Sequence, residues 1–183
     1  MIKSYKGLNI KLNPEGVPIL TSPSWGLEWP AGEEAVSSVT SKRELQEPGG
    51  KGIYSLKSPR EVEKQGYWDR KKWPGILAEI TPYGDVAWGK LGYRSEKASI
   101  SAIVREDYVC DSCSKAIGTV LVSRGKEETP LLLCKTCLAK LEKALPKARL
   151  KETSIENFWN TLSQRYGIPI TRVEELEEYK RLE

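Results

Sequence analysis

A chain of 183 residues, 30% charged and 39% apolar, has the size and balance of one globular domain or of a main domain with a small satellite. Its 29 basic and 25 acidic side chains leave a net charge of +4, which permits a polyanionic partner without requiring one. There is no histidine, which excludes a Ser-His-Asp triad, a His-x-Glu-x-x-His protease site and histidine-based nucleases. Acid–base chemistry is left to Asp, Glu, Lys, Tyr or Cys, and a non-enzymatic role is favoured.

The first sixteen residues lack an apolar signal core and no stretch reaches the roughly 20 apolar residues of a membrane span, so a cytoplasmic location (host cytoplasm if the chain is viral) is expected, with no membrane partner. Residues 8–12 and 17–20 alternate as two short strands around the turn Asn13-Pro14-Glu15-Gly16. Loop chemistry follows, with a short helix expected within 33–46. Ser58 as N-cap, Pro59 at N1 and Glu61 in a capping box open another helix, which Gly66 stops. Three strands are expected at 76–80, 85–91 and 97–104, divided by turns at Pro82-Tyr83-Gly84 and at Gly92-Tyr93. Alternation puts Ala98, Ile100, Ala102 and Val104 on one face. Helices are expected at 135–145, with Leu138, Leu141 and Leu145 on one face, from a Thr153-x-x-Glu156 capping box to Tyr166, and from Thr171-x-x-Glu174 to the C-terminus. The fold class is therefore α+β: a mainly antiparallel β domain with one short helix (1–105), a cysteine module (106–146) and a helical extension (147–183).

All four cysteines fall in two pairs, Cys110-x-x-Cys113 and Cys134-x-x-Cys137, with twenty residues between the pairs. This spacing fits one tetrahedral zinc ion held by four thiolates at about 2.3 Å. The intervening residues read as a β-hairpin, and the second pair falls on the first turn of the 135–145 helix, where free N–H groups favour thiolates. Two disulfides or two redox pairs are the competing reading. A closed shell of four sulfurs is structural rather than catalytic. Knuckle, hairpin and helix in that order resemble a treble-clef zinc finger over residues 108–145.

A second resemblance covers about residues 5–105. Trp29, Pro30 and Gly32, then Gly52, Ile53 and Tyr54, then Gly84, Val86, Gly92, Tyr93, Arg94 and Glu96 resemble, in that order, the elements of an uncharacterised bacterial, notably actinobacterial, and phage protein family. Family members often carry a Cys where this chain has Lys51, and they generally lack the cysteine module. The resemblance brings no activity with it. It marks Tyr54, Tyr93, Arg94 and Glu96 as a candidate pocket, with Arg94 for an anion and Glu96 as a base; a buried Arg–Glu pair or a turn packing motif accounts for the same residues.

Basic residues supply the remaining candidates. Arg70, Lys71 and Lys72 stand between Trp68 and Trp73, a combination suited to single-stranded nucleic acid, although buried tryptophans on a solvated loop are the commoner outcome. Lys135, Lys140, Lys143, Lys147 and Arg149 run along the module's helix and its exit, where they would meet a phosphate backbone or form a solvated face. High Lys and Glu beside a single Met hint at a thermophilic source. The expectation is a zinc-stabilised binding protein contacting DNA, RNA or nucleic-acid machinery. The alternatives are a protein-interaction or self-association module using the C-terminal helices, and an enzyme with a cleft in the β domain.

Overall fold

The Asn13-Pro14-Glu15-Gly16 turn joins β1 (Ser4–Leu12) to β2 (Pro18–Thr21) as the sequence predicts: Asn13 Oδ1 accepts from Val17 N at 2.8 Å, and Gly16 takes φ +82. The computed structural model describes residues 2–23, 28–47, 51–124, 129–145, 150–176 and 179. The architecture is α+β, with mostly antiparallel strands and few helices.

Within the segment expected to be helical at 33–46, residues 35 and 36 form β3 (Ala35–Val36), and only α1 (Lys42–Gln46) is helical, capped by Ser41. After β4 (Ile53–Leu56) comes α2 (Pro59–Lys64). Ser58 Oγ accepts from Glu61 N at 3.2 Å, Pro59 stands in the first turn and Gly66 follows at φ +74, as expected.

The three expected strands are two. β5 (Gly75–Trp88) runs unbroken through Pro82, Tyr83 and Gly84, and β6 (Gly92–Arg105) begins at the predicted second turn; the actual turn is at Gly89-Lys90-Leu91. The turn-forming residues are absorbed by a register shift between Tyr83 and Val86. Gly84 sits there at φ +71, where a Cβ would come within 2.6 Å of Glu96 Oε2. Pro82 lies beyond the β1 ladder, which ends at the Ser4–Ile80 pair, so its missing N–H falls on a one-sided stretch. A second shift, where Glu79 and Ile80 oppose Ala102 and Ile100, leaves Ser101 as an extra residue. It breaks the expected single face: Ala98 and Ile103 point into one core, Val104 into another.

β1 pairs β5, β5 pairs β6, β6 pairs β4, and β4 returns to β1 through the one pair Tyr5–Leu56, so these strands close into a barrel-like ring. One side of the ring buries Leu8, Ile10, Ile76 and Ile80; the other buries Tyr5, Leu56 and Leu77 with Val62 of α2 and Trp68.

The hairpin expected between the cysteine pairs is β7 (Val120–Arg124) with β8 (Leu131–Leu133), followed by α3 (Lys135–Ala144). The sequence did not suggest β9 (Leu150–Ser154), which adds to the outer edge of β7. α4 (Ile155–Tyr166) is capped by Ser154 rather than Thr153, and Gly167 ends it at φ +65. The Thr171 capping box does not form: residues 170–172 are β10 (Ile170–Arg172), parallel to β6, followed by a 3-10 turn. Most of the helix expected beyond it lies outside the described residues.

Contacts cross both of the boundaries expected at 105 and 146. Leu121 and Leu132 from the module, and Phe158, Trp159, Leu162 and Tyr166 from α4, share one core with the ring. Trp73 is its hub: Nε1 donates to Pro130 O at 2.7 Å, and its ring meets Tyr108, Phe158 and Trp159 edge-on at 5.7, 5.4 and 6.3 Å.

Candidate metal centre

Two backbone arrangements bring the cysteines together. In the first pair, Ser114 N donates to Cys110 O at 2.8 Å and Cys110 N to Ala116 O at 2.8 Å, folding a knuckle that turns at Ser114 with φ 53. In the second, Cys134 is the N-cap of α3 and Cys137 falls in its first turn. Asp111 ties the two halves: its N–H donates to Leu132 O at 2.9 Å, and its Oδ2 accepts from Leu132 N at 2.7 Å.

All four sulfurs lie within 4.8 Å of one another, and all four cysteines are free thiols. A tetrahedron of 2.3 Å bonds has edges of about 3.8 Å, so one ion fits the cluster after small adjustments. The donor set is soft, with no carboxylate or imidazole among it. Backbone donors prepare the site for negative charge. The N–H groups of Ala116 and Lys115 hold the Cys113 thiol down to about 6. At Cys110, burial opposes ionisation, but the N–H groups of Cys134, Cys113 and Ser112 outweigh it and the pKa falls. At Cys137 the Ser112 hydroxyl favours the thiolate, yet the crowding sulfurs of Cys134, Cys110 and Cys113, together with burial, push it up to about 11. Four sulfurs this close cannot all ionise without a cation among them.

The hairpin divides its side chains between two tasks. Val122 and Leu133 face the sulfurs, while Leu121 and Leu132, a cross-strand pair, face the shared core. On α3, Cys137 is buried and Leu138 and Leu141 pack beside it; Lys135, Lys140 and Lys143 are exposed. Leu145 ends the helix as its C-cap. Lys147 and Arg149 lie outside the described residues.

The other candidates are placed differently from the sequence reading. Trp68 and Trp73 are 3% and 7% exposed, so neither offers a face for a base to stack on. Arg70 is paired with Glu106 and lies 4.8 Å from the Tyr179 ring. Lys71 and Lys72 are exposed, and their loop is attached to the module through Val109 N, which donates to Lys71 O at 3.2 Å. Of the candidate pocket, Tyr54 lines a cleft whose wall does not include the other three. Arg94 stands opposite Tyr54 across the ladder but donates to Glu47 O at 2.6 Å; Glu96 accepts from Asp85 N at the bulge; Tyr93 is buried and packs on Trp88 at 5.0 Å. The ladder that brings Arg94 beside Tyr54 turns Tyr93 to the opposite face, so the four do not converge.

Two features escaped the sequence reading. Trp88, at the hairpin tip, is 68% exposed. Lys6 lines the cleft on the same alternate face as Leu8 and Ile10, a parity visible in the sequence.

What the fold and the cluster define is an α+β protein whose four cysteines lie close enough together to hold one metal ion. No family model, curated protein or solved structure matches the chain, and the resemblance of residues 5–105 to an uncharacterised family finds no support there. Among the described residues, no helix is long and apolar enough to cross a membrane.

Proposed function

We propose that this chain is a zinc-stabilised binding protein whose cysteine module presents basic side chains to nucleic acid or to nucleic-acid machinery. The observation that supports it is the division of α3: one side packs on the sulfur cluster, and the other carries Lys135, Lys140 and Lys143 exposed. Cys110, Cys113, Cys134 and Cys137 would hold the ion, which takes four thiolates and keeps no open position. Zinc bound in this way supplies folding energy and no reaction chemistry. Lys71 and Lys72, on a loop joined to the module, extend the positive surface.

Fluorescence anisotropy with labelled single- and double-stranded oligonucleotides between 50 and 200 mM salt tests the proposal. The wild type binds, with affinity falling steeply as salt rises. Replacing Lys135, Lys140 and Lys143 together by Gln lowers the slope on duplex by about 3, roughly 0.9 for each lost phosphate contact. No binding at 50 mM salt, or an unchanged slope in the triple variant, overturns it.

A further inference from the structure

The ring is not closed along its whole length. β1 and β4 are joined at Tyr5–Leu56 alone, and β1 next acquires a partner on that edge at Asn9–Thr21. Where the ladder is missing, a cleft of about 960 Å³ opens between the two strands. Trp29, Ile53, Tyr54, Val62 and Tyr67 give its walls a large apolar and aromatic share, with serines, Glu28, Glu34 and the exposed Lys51 completing them. The backbone of Tyr67 comes so near β1 that a Cβ on Gly7 would lie 1.9 Å from its carbonyl oxygen.

Lys6 stands inside this gap. Its Nζ donates to Tyr54 O at 2.9 Å, taking the place of the absent ladder donor. That neutral carbonyl is its one polar protein partner among the described residues, so no carboxylate among them offsets its charge. Burial pushes the Lys6 pKa down to about 8, which leaves the amine largely protonated at neutral pH. The acids on the cleft wall are engaged elsewhere: Glu28 with Arg165 at 3.8 Å, Glu34 with Lys97 at 3.5 Å and with the Tyr83 hydroxyl. Ser37, also on the wall, has its Oγ buried without a hydrogen-bond partner.

A half-buried cation on the wall of a largely apolar cleft, with the unpartnered Ser37 hydroxyl on the same wall, is complementary to one kind of ligand. We propose that the cleft between β1 and β4 binds a small molecule with an apolar or aromatic body and a single oxyanion head of carboxylate type, the head on Lys6 Nζ and the body against Trp29 and Tyr67. The site is independent of the cysteine cluster and of the basic helix.

The probe is 8-anilinonaphthalene-1-sulfonate, compared with N-phenyl-1-naphthylamine, which has the same body without the anion. The zinc-loaded wild type binds the sulfonate saturably. Lys6→Met, which keeps the aliphatic stem, weakens the sulfonate by about tenfold or more, the loss expected of one charged hydrogen bond. The uncharged dye changes by less than about twofold. A lysine that only satisfied the Tyr54 carbonyl would move both dyes together. A second arm needs no variant: phenylacetate displaces the sulfonate from the wild type at lower concentration than 2-phenylethanol, although the alcohol is the less polar of the two. Parallel loss of both dyes in a folded Lys6→Met protein, displacement by the alcohol at or below the acid's concentration, or no saturable sulfonate binding each overturns the proposal.

Discussion

The ring and the cysteine module solve the same problem at different scales. The ring buries long aliphatic side chains on both faces of its sheet, with Leu8, Ile10, Ile76, Leu77 and Ile80 fully enclosed. Among the described residues, the module's own cluster has five buried members, of which three are the cysteines Cys110, Cys134 and Cys137. Val122 and Leu133 cannot offset the conformational entropy of ordering some forty residues, at roughly 1–2 kcal/mol per residue for the backbone. The small sheet therefore has two outside sources to draw on: through Leu121 and Leu132, the ring's core on one face, and on the other a sulfur cluster that could hold an ion.

The comparison breaks most visibly at the sulfurs. Purified protein is expected to carry one zinc per chain by elemental analysis. Cys134→Ser or a strong chelator then removes binding energy on the order of 10–16 kcal/mol. Amide exchange should rise through β7, β8 and α3 while β5 and β6 stay protected; equal loss in both would make ring and module a single cooperative unit.

A smaller effect sharpens the boundary from the other side. Trp73→Ala empties the hub where ring, module and α4 meet, at an expected cost of about 3–5 kcal/mol in urea unfolding. Because the indole also holds Pro130 O, β8 protection should fall along with that of β5. An effect confined to the ring would mean that the module stands on its metal alone.

The least of the three concerns the ring's own gap. The Lys6 pKa falls from an ordinary 10.5 to about 8 on folding, so between those values the unfolded chain binds more protons than the native one. Stability from this group therefore rises with pH across that window, by about 3 kcal/mol when complete, and the full penalty is present below pH 8. Subtracting the Lys6→Met stability–pH curve from that of the wild type isolates this rise. A flat difference would place the amine in water rather than in the cleft.

Sequence revealed what is settled locally. The Asn13–Gly16 turn, the Ser58 cap and both cysteine pairs depend on residues within a few positions of one another, and each stands where it was expected. Misreadings came where distant strands decide. Pro82 and Gly84 carry turn chemistry, but long pairing on both sides makes a bulge less costly than a reversal. Thr153 and Thr171 resemble helix caps, but each is held in a ladder, opposite Leu121 and beside Val104. The candidate pocket turns on a related point. A shared ladder brings Arg94 beside Tyr54, but neither pairing nor spacing reveals that the guanidinium reaches the Glu47 carbonyl. Lys6 left a trace in its parity with Leu8 and Ile10; the missing ladder that turns that parity into a cleft left none.

The parallel pairing of β10 with β6 has a consequence for biogenesis. While the chain emerges from the ribosome, the Ile103–Arg105 edge of β6 stays uncovered until residues 170–172 have appeared, as does the outer edge of β7 until 150–154 have done so. Both nascent edges are templates for illicit pairing with a neighbouring polypeptide. A stop codon just after α3 would make that exposure permanent, and inclusion bodies rather than a free-standing finger are the expected yield.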